Sequence, residues 1–549
     1  SEVREGEKNR AFKSPLLFSE RGFRGEAIFS ESGQGSKWLR LFAVILGMAL
    51  GAGIATIQLA PTAELLSQSQ RSDGVDFDFA MNFSYAPARA LNIFSPVMFG
   101  TPADGSYITE GAFFEDAVYI GLIPLIGAIV AVIAWARRRK MAIPVYQTVP
   151  FWLIVVIVGF VFALGVHTPI FPFFYRSVPT FDLFQAPVRW HLWTVFGLSI
   201  LAGIGVSAWG RGVVTKQWAR RALVGSLGML IVLVVLLSIS MGGQTLAVLI
   251  RALIGVAVFL PLAAILTLTQ PHEGSPRYGR WMIAVLGVVA VDLGIASWGL
   301  NPTTFGENRV VREEAHSRSY LSKRQVDDIT FSQFFRFDNY QAPFNLDSLI
   351  RSGLPNANIY RRAPMLNNFE PLLVGHFARM IELIEAHPDP ELLLQAAGVT
   401  SESDLRVWFA ESVCWHESQA ELEAALVDPA WNPYRQMHVL GDAGCPQVSE
   451  SSEDATVTLT DHVNTVTISV NAPQAGWLYL ADTDYPGWKA TIDGEPVPIY
   501  RANLMFRAVQ VDAGLQEVVF RYEPDWLAPA LLITVVSLVV LLFLFRLAD

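Results

Sequence analysis

The stretch Asp484-Tyr485-Pro486-Gly487-Trp488-Lys489 lies among short runs in which apolar and polar residues alternate. The alternation extends from about residue 456 to residue 522 and is typical of β-strands with one buried face. Asp493-Gly494 separates two of these runs, as a tight hairpin turn requires. Residues 526–547 then form one nearly uncharged apolar run that is long enough to cross a bilayer as a helix. The sequence therefore predicts a small β-sandwich tethered to a membrane.

The composition of the whole chain indicates a membrane protein. Of its 549 residues, 52% are hydrophobic and only 16% are charged, which is too apolar for an ordinary soluble protein of this length. We predict a polytopic α-helical membrane domain with about eight spans in all. The predicted spans cover residues 39–59, 118–135, 151–165, 190–208, 223–241, 246–267, 282–300 and 527–545.

The distribution of Lys and Arg predicts the orientation of these spans. Basic residues cluster in alternate short loops, at 137–140, 211–221 and 277–280, and such loops face the cytoplasm. Residues 1–37 are then a cytoplasmic segment, residues 38–300 the transmembrane domain, and loops 60–117 and 166–189 are external. Residues 301–525 are predicted to be extracytoplasmic, and residues 526–549 to form the C-terminal transmembrane helix.

The extracytoplasmic block divides into two predicted parts. Residues 301–453 form a mixed α/β domain with short helices at 390–397, 403–411 and 419–426, and residues 454–525 form the β-sandwich, which follows a polar linker at 449–453. Cys414 and Cys445, the only cysteines, both fall in this block, where a disulfide is expected.

Several kinds of site and partner are not indicated. The net charge of −10 comes with no basic domain and no nucleic-acid motif, so we expect no nucleic-acid partner. The nine histidines are scattered, which predicts no metal site, and no phosphate-binding Gly loop, Rossmann fingerprint or nucleophile elbow occurs. We therefore expect no cofactor, and leave open a divalent metal.

Short motifs occur in a characteristic order along the chain. They are Ile57–Leu65 with Ser69–Arg71, Phe94–Pro96 with Phe99–Gly100, Tyr119–Leu122, Ala186–Arg189, Asp292-Leu293, Asp484–Lys489, Tyr500–Asn503 and Ala513-Gly514. In this order they resemble the bacterial YfhO-type membrane proteins, which belong to the GT-C group of polyprenyl-phosphate-sugar glycosyltransferases. The resemblance covers nearly the whole chain from Trp38 onward. Gln185 departs from it, because a basic residue is expected there.

The resemblance implies a function and a location. Such a protein lies in the bacterial cytoplasmic membrane among its lipids, and moves a sugar from a polyprenyl phosphate to an extracytoplasmic cell-envelope acceptor. Members of the family usually carry additional N-terminal spans, and an acidic residue of their first external loop is thought to be the catalytic base. Because this chain begins at Ser1, we expect it to be the C-terminal part of a longer protein. No catalytic residue is assigned within it.

A lipid-linked donor presents a phosphate at the outer membrane surface, so cations are expected there. Arg189 and Arg71 are our candidates for contact with this phosphate, because the guanidinium fork donates two parallel hydrogen bonds. Glu64, Glu110 and Asp182 are candidates for contact with the sugar or acceptor. If residues 60–66 continue the first span, Glu64 and Arg71 lie about two turns apart on one side of a helix. For each candidate, the alternative is an interfacial side chain that solvates a helix end.

Two charged residues fall inside predicted spans, where charges are costly. Asp292 lies about 12 Å and Arg251 about 8 Å below the outer ends of consecutive helices, at the helical rise per residue. We therefore predict that they form an intramembrane ion pair with a mainly structural role.

Other functions remain open at this stage. The same helices suit a non-enzymatic transporter of lipid-linked sugars, an envelope assembly partner or an accessory subunit. In the predicted sandwich, Tyr485, Trp488, Tyr500 and Arg501 offer aromatic and polar groups to a glycan. The sequence alone favours a second interpretation, in which Trp488 and Tyr500 are core residues of the module.

Overall fold

A computed structural model describes residues 35–101, 105–108, 113–137, 144–210, 216–239, 244–272, 274–298, 318–330, 350–399, 406–446 and 455–548. The chain divides into two compact units. The first unit contains residues 1–69, 407–418 and 435–549, and the second contains residues 70–406 and 419–434. The predicted cytoplasmic segment before residue 35, Glu110 and the predicted linker 449–453 lie outside the described residues.

The secondary structure combines long apolar helices with a strand-rich C-terminal region. The helices are α1 (Gly35–Ile54), α2 (Thr56–Gln68), α3 (Phe77–Met81), α4 (Leu122–Arg137), α5 (Pro144–Gln147), α6 (Val149–Ala163), α7 (Ile170–Ser177), α8 (His191–Gly210), α9 (Lys216–Ile239), α10 (Gln244–Thr269), α11 (Tyr278–Ala296), α12 (Lys323–Ile329), α13 (Gly375–Ala386), α14 (Glu391–Ala396), α15 (Gln419–Leu426) and α16 (Leu527–Ala548). The strands are β1 (Val407–Ala410), β2 (Ser412–His416), β3 (Gln436–Leu440), β4 (Thr456–His462), β5 (Thr465–Ala472), β6 (Gly476–Thr483), β7 (Trp488–Ile492), β8 (Glu495–Val497), β9 (Tyr500–Ala502), β10 (Phe506–Val511) and β11 (Gly514–Tyr522).

Within the described residues, six helical segments are long and apolar enough to cross a membrane. They are Lys37–Ile54, Val145–Ala163, Lys216–Val235, Leu246–Thr269, Tyr278–Ala296 and Leu527–Leu547. Each coincides with a predicted span, so the multi-pass character of the chain is confirmed. The other two predicted spans correspond to α4, which has only 16 residues, and to α8, which has 20. The total of eight spans stays a prediction.

In the first unit, a polar contact joins the first and last apolar helices. The helical path breaks at Ala55, between α1 and α2. Beside this break, the hydroxyl of Thr534 on α16 lies 3.4 Å from the carbonyl oxygens of Gly53 and Ile54, and it accepts the N–H of Ile57 at 3.3 Å. Backbone groups at a helix break in lipid need such partners, because no water is available to them.

The rest of the first unit contains two β-sheets that share an apolar core. The strand order is β1-β6-β10-β9-β3-β2 in one sheet and β4-β5-β11-β7-β8 in the other. Side chains of β5 and β11 pack into the same buried cluster as those of β6 and β10. The predicted hairpin turn is confirmed: Asp493 and Gly494 join β7 to β8 with φ angles of 50° and 89°, as a primed two-residue turn requires.

Two predictions for residues 301–525 are wrong. The helix predicted at 403–411 is wrong at Val407–Ala410, which is the strand β1 and pairs with β6. Residues 403–405 lie outside the described part of the chain. The predicted boundary at residue 453 also fails, since β1, β2 and β3 precede it and belong to the six-stranded sheet. β-branched and aromatic side chains fit this pleated, half-buried surface, and the tertiary partner outweighs the local helix preference. Helices at 391–396 and 419–426 agree with the sequence.

The disulfide belongs to the same sheet. Cys414 on β2 and Cys445, which follows β3, are joined, with their Cα atoms 4.2 Å apart. β2 and β3 run parallel, so a long connection between them is required. The disulfide ties the segment that follows β3 to β2.

The second unit contains a helical core. Side chains of α4, α6, α8, α10 and α11 contribute to one buried cluster. Small residues allow α4 and α8 to approach closely: a Cβ atom added to Gly127 would lie 3.0 Å from the carbonyl oxygen of Ala202. Trp281 on α11 donates its indole N–H to the carbonyl of Leu266 on α10 at 2.9 Å. These contacts hold the helices whose ends carry the candidate site.

Candidate functional site

Arg189 lies in a short helical turn, Pro187–Trp190, immediately before α8. Its Nη2 donates to Oε1 of Glu115 at 2.6 Å, and its Nε lies 3.2 Å from both carboxylate oxygens. This bond is the main reason why the pKa of Arg189 is raised. The Arg189 side chain is 66% exposed, whereas that of Glu115 is 13% exposed. Glu115 therefore orients a guanidinium group that still faces solvent.

The backbone before Arg189 is strained. Ala186 has a φ of 67° and Thr180 a φ of 75°, a left-handed conformation that is costly without glycine. Aromatic packing supports this segment, since the Trp190 ring lies 4.5 Å from that of Phe162 and stacks on Phe181 at 6.3 Å. Held in this way, Arg189 has a defined position at the start of α8.

Arg71 follows α2 and lies near Arg189. Its guanidinium carbon is 5.2 Å from the centroid of the Phe79 ring. The pKa of Arg71 is lowered, first by burial and second by the positive charge of Arg189. The structure therefore brings together the two arginines that we predicted as phosphate contacts.

Asp182 lies beside the turn that contains Arg71. The turn closes with a 3.0 Å hydrogen bond from the Gly74 N–H to the Arg71 carbonyl, and Val75 donates to the Asp182 carbonyl at 2.7 Å. A Cβ atom on Gly74 would lie 2.9 Å from Oδ2 of Asp182, so the carboxylate packs directly against this glycine. Asp182 is thus part of the loop structure that carries Arg71.

We predicted that Glu64 and Arg71 share one side of a helix, and this prediction is wrong. α2 ends at Gln68, because the hydroxyl of Ser69 bonds back to the Leu66 carbonyl at 2.9 Å and the chain turns extended. The Arg71 side chain falls in the second unit, whereas Glu64 belongs to the first.

Within the first unit, Glu64 contacts aromatic residues near the start of α16. Its Oε2 accepts the indole N–H of Trp526 at 3.1 Å, and its carboxylate also bonds to Tyr485. The pKa of Tyr485 is raised to about 12, first by burial and second by the negative charge of Glu64. These contacts assign Glu64 a structural role between α2 and the strand-rich region.

Sequence reasoning did not assign a role to Asp116, which forms a buried ion pair. Nη1 of Arg89 lies 2.8 and 3.0 Å from the two carboxylate oxygens, and the Asp116 side chain is only 5% exposed. Burial raises the pKa of Asp116 to about 6, although the charge and hydrogen bond of Arg89 act in the opposite direction. The two adjacent acids Glu115-Asp116 were the sequence signal for these pairs. In the structure, Glu115 pairs with Arg189 and Asp116 pairs with Arg89.

Asp116 also borders a cavity of about 320 Å³ in the second unit. Its lining is mainly apolar and includes the end of α11; the residues are Asn92, Pro96, Phe113, Asp116, Ala117, Val118, Tyr119, Leu293, Ala296 and Ser297. Asn92 is buried, and among the described residues its Oδ1 accepts no hydrogen bond. The cavity therefore offers an apolar surface together with an available acceptor, next to the residue that orients Arg189.

The predicted ion pair between Asp292 and Arg251 is wrong. The Asp292 carboxylate accepts the hydroxyl of Tyr119 at 2.7 Å and the backbone N–H of Leu122 at 2.8 Å, whereas the Arg251 side chain is exposed on α10. Leu122 is the first residue of α4, where backbone N–H groups lack helical partners and the helix dipole favours a negative charge. A helix end thus replaces the expected cation.

Among the described residues, no group of three His, Cys, Asp or Glu side chains is positioned to hold a metal ion. The apolar helices and the strand-rich region define a multi-pass membrane protein with a large extramembrane part.

Comparison with protein families identifies the class more closely. The family model "Bacterial membrane protein YfhO" matches residues 27–356 and 439–534. The chain therefore belongs to the YfhO family of bacterial membrane proteins. Searches of curated proteins and of solved structures found no match.

Proposed function

We propose that the chain takes part in the transfer of a sugar from a polyprenyl phosphate to a cell-envelope acceptor. The observation that carries this proposal is the solvent-facing guanidinium of Arg189, which Glu115 holds in place near Arg71. Burial chiefly, and the charge of Arg189 in addition, lower the pKa of Arg71. A phosphate suits the planar donors of two guanidinium groups of like charge. The lipid-linked donor supplies such a phosphate.

The contacts of Arg189 leave donors for this ligand. Glu115 occupies the Nε and Nη2 edge, and among the described residues Nη1 contacts no acceptor. In this proposal Glu115 holds the guanidinium in place, Nη1 of Arg189 and the Arg71 guanidinium bind the phosphate, and the cavity beside Asp116 receives apolar atoms of the bound lipid. Asp182 shapes the loop that carries Arg71.

The proposed topology agrees with the proposed substrate. The basic loops face the cytoplasm, so the ends of the helices that carry Arg71 and Arg189 open to the outer surface of the cytoplasmic membrane. We assign no catalytic base among the residues of this chain.

Binding and transfer are measured separately. Binding of undecaprenyl phosphate to the purified chain in nanodiscs is compared between the wild type and Arg189→Ala. Because a charge-assisted hydrogen bond contributes about 1.5–3 kcal/mol, we expect the dissociation constant to rise roughly tenfold or more. Arg176→Ala is the matched control, since Arg176 is an exposed arginine of the same region that lies over the Phe77 ring. Equal loss in both variants would contradict a specific phosphate site.

Transfer is assayed with the full-length gene product. Membranes receive a radiolabelled sugar on undecaprenyl phosphate, and label is followed into the cell-envelope polymer. We expect incorporation with the wild type and with Arg176→Ala, and loss with Arg189→Ala at unchanged thermal stability. Binding without transfer by the full-length protein, for any such donor, rejects the enzymatic function and leaves a transporter or accessory subunit.

A further inference from the structure

The strand-rich region of the first unit contains an open groove of about 450 Å³. This volume lies in the range of roughly 300–1,000 Å³ that holds small ligands. The groove is formed by the loop that precedes β7, by β7 itself and by the segment from β8 to β9; its lining residues include Asp484, Tyr485, Trp488, Lys489, Pro496 and Arg501. The most distinctive stretch of the sequence therefore lines a surface groove, and its Trp488 also packs against the apolar core of the two sheets.

The Trp488 ring is held rigidly at this groove. The guanidinium carbon of Arg507 lies 3.8 Å from the ring centroid, and the Tyr522 ring packs against the indole at 5.4 Å. Arg507 is only 2% exposed and bonds to Asp482 at 3.2 Å, so the cation beneath the indole is fixed by the interior. Arg507 covers one face of the indole, and the part of Trp488 that lines the groove faces a ligand bound there. A fixed aromatic face is the surface on which the C–H groups of a sugar ring stack.

Charged groups at the groove are already paired. Nε of Arg501 lies 2.9 Å from Oδ2 of Asp484. Nζ of Lys489 lies 3.4 Å from Asp525 and 3.8 Å from Glu523. Sugar hydroxyls both donate and accept hydrogen bonds, so a neighbouring carboxylate and guanidinium suit them. The three carboxylates that pair with Lys489 and Arg501 outnumber these two cations, so the pairs favour a neutral sugar over a phosphate.

We propose that this groove binds carbohydrate, with one sugar ring on Trp488 and its hydroxyls on Asp484 and Arg501. The groove lies close in sequence to the last apolar helix: the Glu523 N–H donates to the Gly487 carbonyl at 2.7 Å, and α16 begins at Leu527. The bound sugar belongs either to the head group of a glycolipid or to a free glycan chain. This inference goes beyond the proposed transfer reaction, because it assigns a second site that needs no polyprenyl donor.

The test measures carbohydrate binding by the full chain in nanodiscs without any donor. Soluble probes are maltohexaose and chitohexaose, and the membrane probe is a nanodisc that contains diglucosyl diacylglycerol. We expect saturable binding of at least one probe, weakened tenfold or more by Trp488→Ala and by Arg501→Ala. Trp488→Tyr retains an aromatic ring and is expected to keep most of the affinity even if the alanine variant is unstable. Arg521→Ala is the matched control, because Arg521 is an exposed arginine of the same region that does not line the groove.

The arms give distinct outcomes. Binding of the soluble oligosaccharides identifies a glycan chain, and binding of the glycolipid alone identifies a head group. Absence of saturable binding to every sugar probe overturns the inference, as does binding that Trp488→Ala and Arg501→Ala leave unchanged. Binding to phosphatidylglycerol nanodiscs without any sugar, weakened by the same variants, identifies a phosphate site and also overturns it. Loss of undecaprenyl-phosphate binding by Arg189→Ala concerns the other unit, so the failure of either proposal is recognised separately.

Discussion

Two hydrogen bonds converge on the Asp292 carboxylate in the second unit. They come from the Tyr119 hydroxyl and from the first N–H of α4. Asp292 is only 3% exposed, and an acid in this position is stabilised when donors replace water. Gly121 suits the turn before α4, because it has a φ of 94° and a Cβ atom there would lie only 3.1 Å from Cδ of Pro124. One aspartate thus joins α11 to the start of α4.

Substitution of Asp292 by Ala is expected to destabilise the protein. A partly buried tyrosine hydroxyl and a buried helix N-terminal N–H lose their acceptor, and each unsatisfied buried group costs about 1–3 kcal/mol. Thermal unfolding of the purified protein in detergent measures the effect, with Asp292→Asn as the milder control because it keeps an acceptor oxygen. The double charge reversal of Arg251 and Asp292 is not expected to restore stability, and a rescue by it would contradict the contacts described above.

Asp116 predicts a pH dependence of stability. Its pKa of about 6 in the folded protein exceeds the ordinary value of 3.8, so the folded state binds this proton more tightly than the unfolded chain. The resulting stability is fully present below about pH 4 and is lost as the pH rises through about 6, with a total of about 3 kcal/mol. Relative to Asp116→Asn, the melting temperature of the wild type should fall between pH 4 and pH 7. Parallel melting curves for the two proteins across this range would disprove the assignment.

At the scale of the element, the turn into β7 depends on Gly487. Its φ is 97°, and a Cβ atom would lie 2.9 Å from Cα of Pro524, in the segment that leads to α16. A backbone atom cannot move aside as the end of a flexible side chain does. The turn, the last strand and the final span therefore meet at a position that admits only glycine.

Gly487→Ala is expected to lower the melting temperature more than Gly514→Ala. Gly514 is the matched control, since its φ is 107° but no heavy atom lies within 4 Å of an added Cβ. Gly514→Ala is destabilised only by its positive φ, which costs about 1–3 kcal/mol. Gly487→Ala has the same backbone strain and also a steric clash with Pro524. Differential scanning fluorimetry of both variants checks the order. Equal losses would show that the contact with Pro524 contributes nothing.

At the scale of the whole molecule, the proposed orientation determines which surfaces meet the outside. Cys414 and Cys445 are joined in a disulfide, so an introduced cysteine is the reporter for a maleimide reagent. Val463 is 99% exposed in the β4–β5 hairpin, and Ser275 lies in the connection between α10 and α11. These two positions belong to faces that we predict to be opposite.

In intact cells, a membrane-impermeant maleimide is expected to label Val463→Cys and not Ser275→Cys. The physical reason is the excess of Arg in the loop around Ser275, which retains that loop on the cytoplasmic side. Permeabilised cells provide the control, because both positions should then react. Labelling of Ser275→Cys alone in intact cells would reverse the proposed topology.

Local sequence patterns predicted much of the secondary structure. The apolar runs located six membrane helices, and strand alternation with Asp493-Gly494 located the hairpin, because both signals depend on the period of neighbouring residues. β1 was missed because its pairing with β6 joins segments about 70 residues apart. The same limit applied to the site: Arg71 and Arg189 were recognised by type, whereas the Arg89–Asp116 pair depends on a fold that joins separate loops.

By itself, the sequence determined a multi-pass membrane protein with a strand-rich C-terminal region, since length, apolarity and alternation act locally along the chain. Only the tertiary structure decided the partners. It moved Asp292 from Arg251 to the start of α4, placed Arg71 near Arg189, and put Trp488 at the wall of a groove. Distances between side chains remote in sequence arise from packing, and packing also sets the burial that raises the pKa of Asp116.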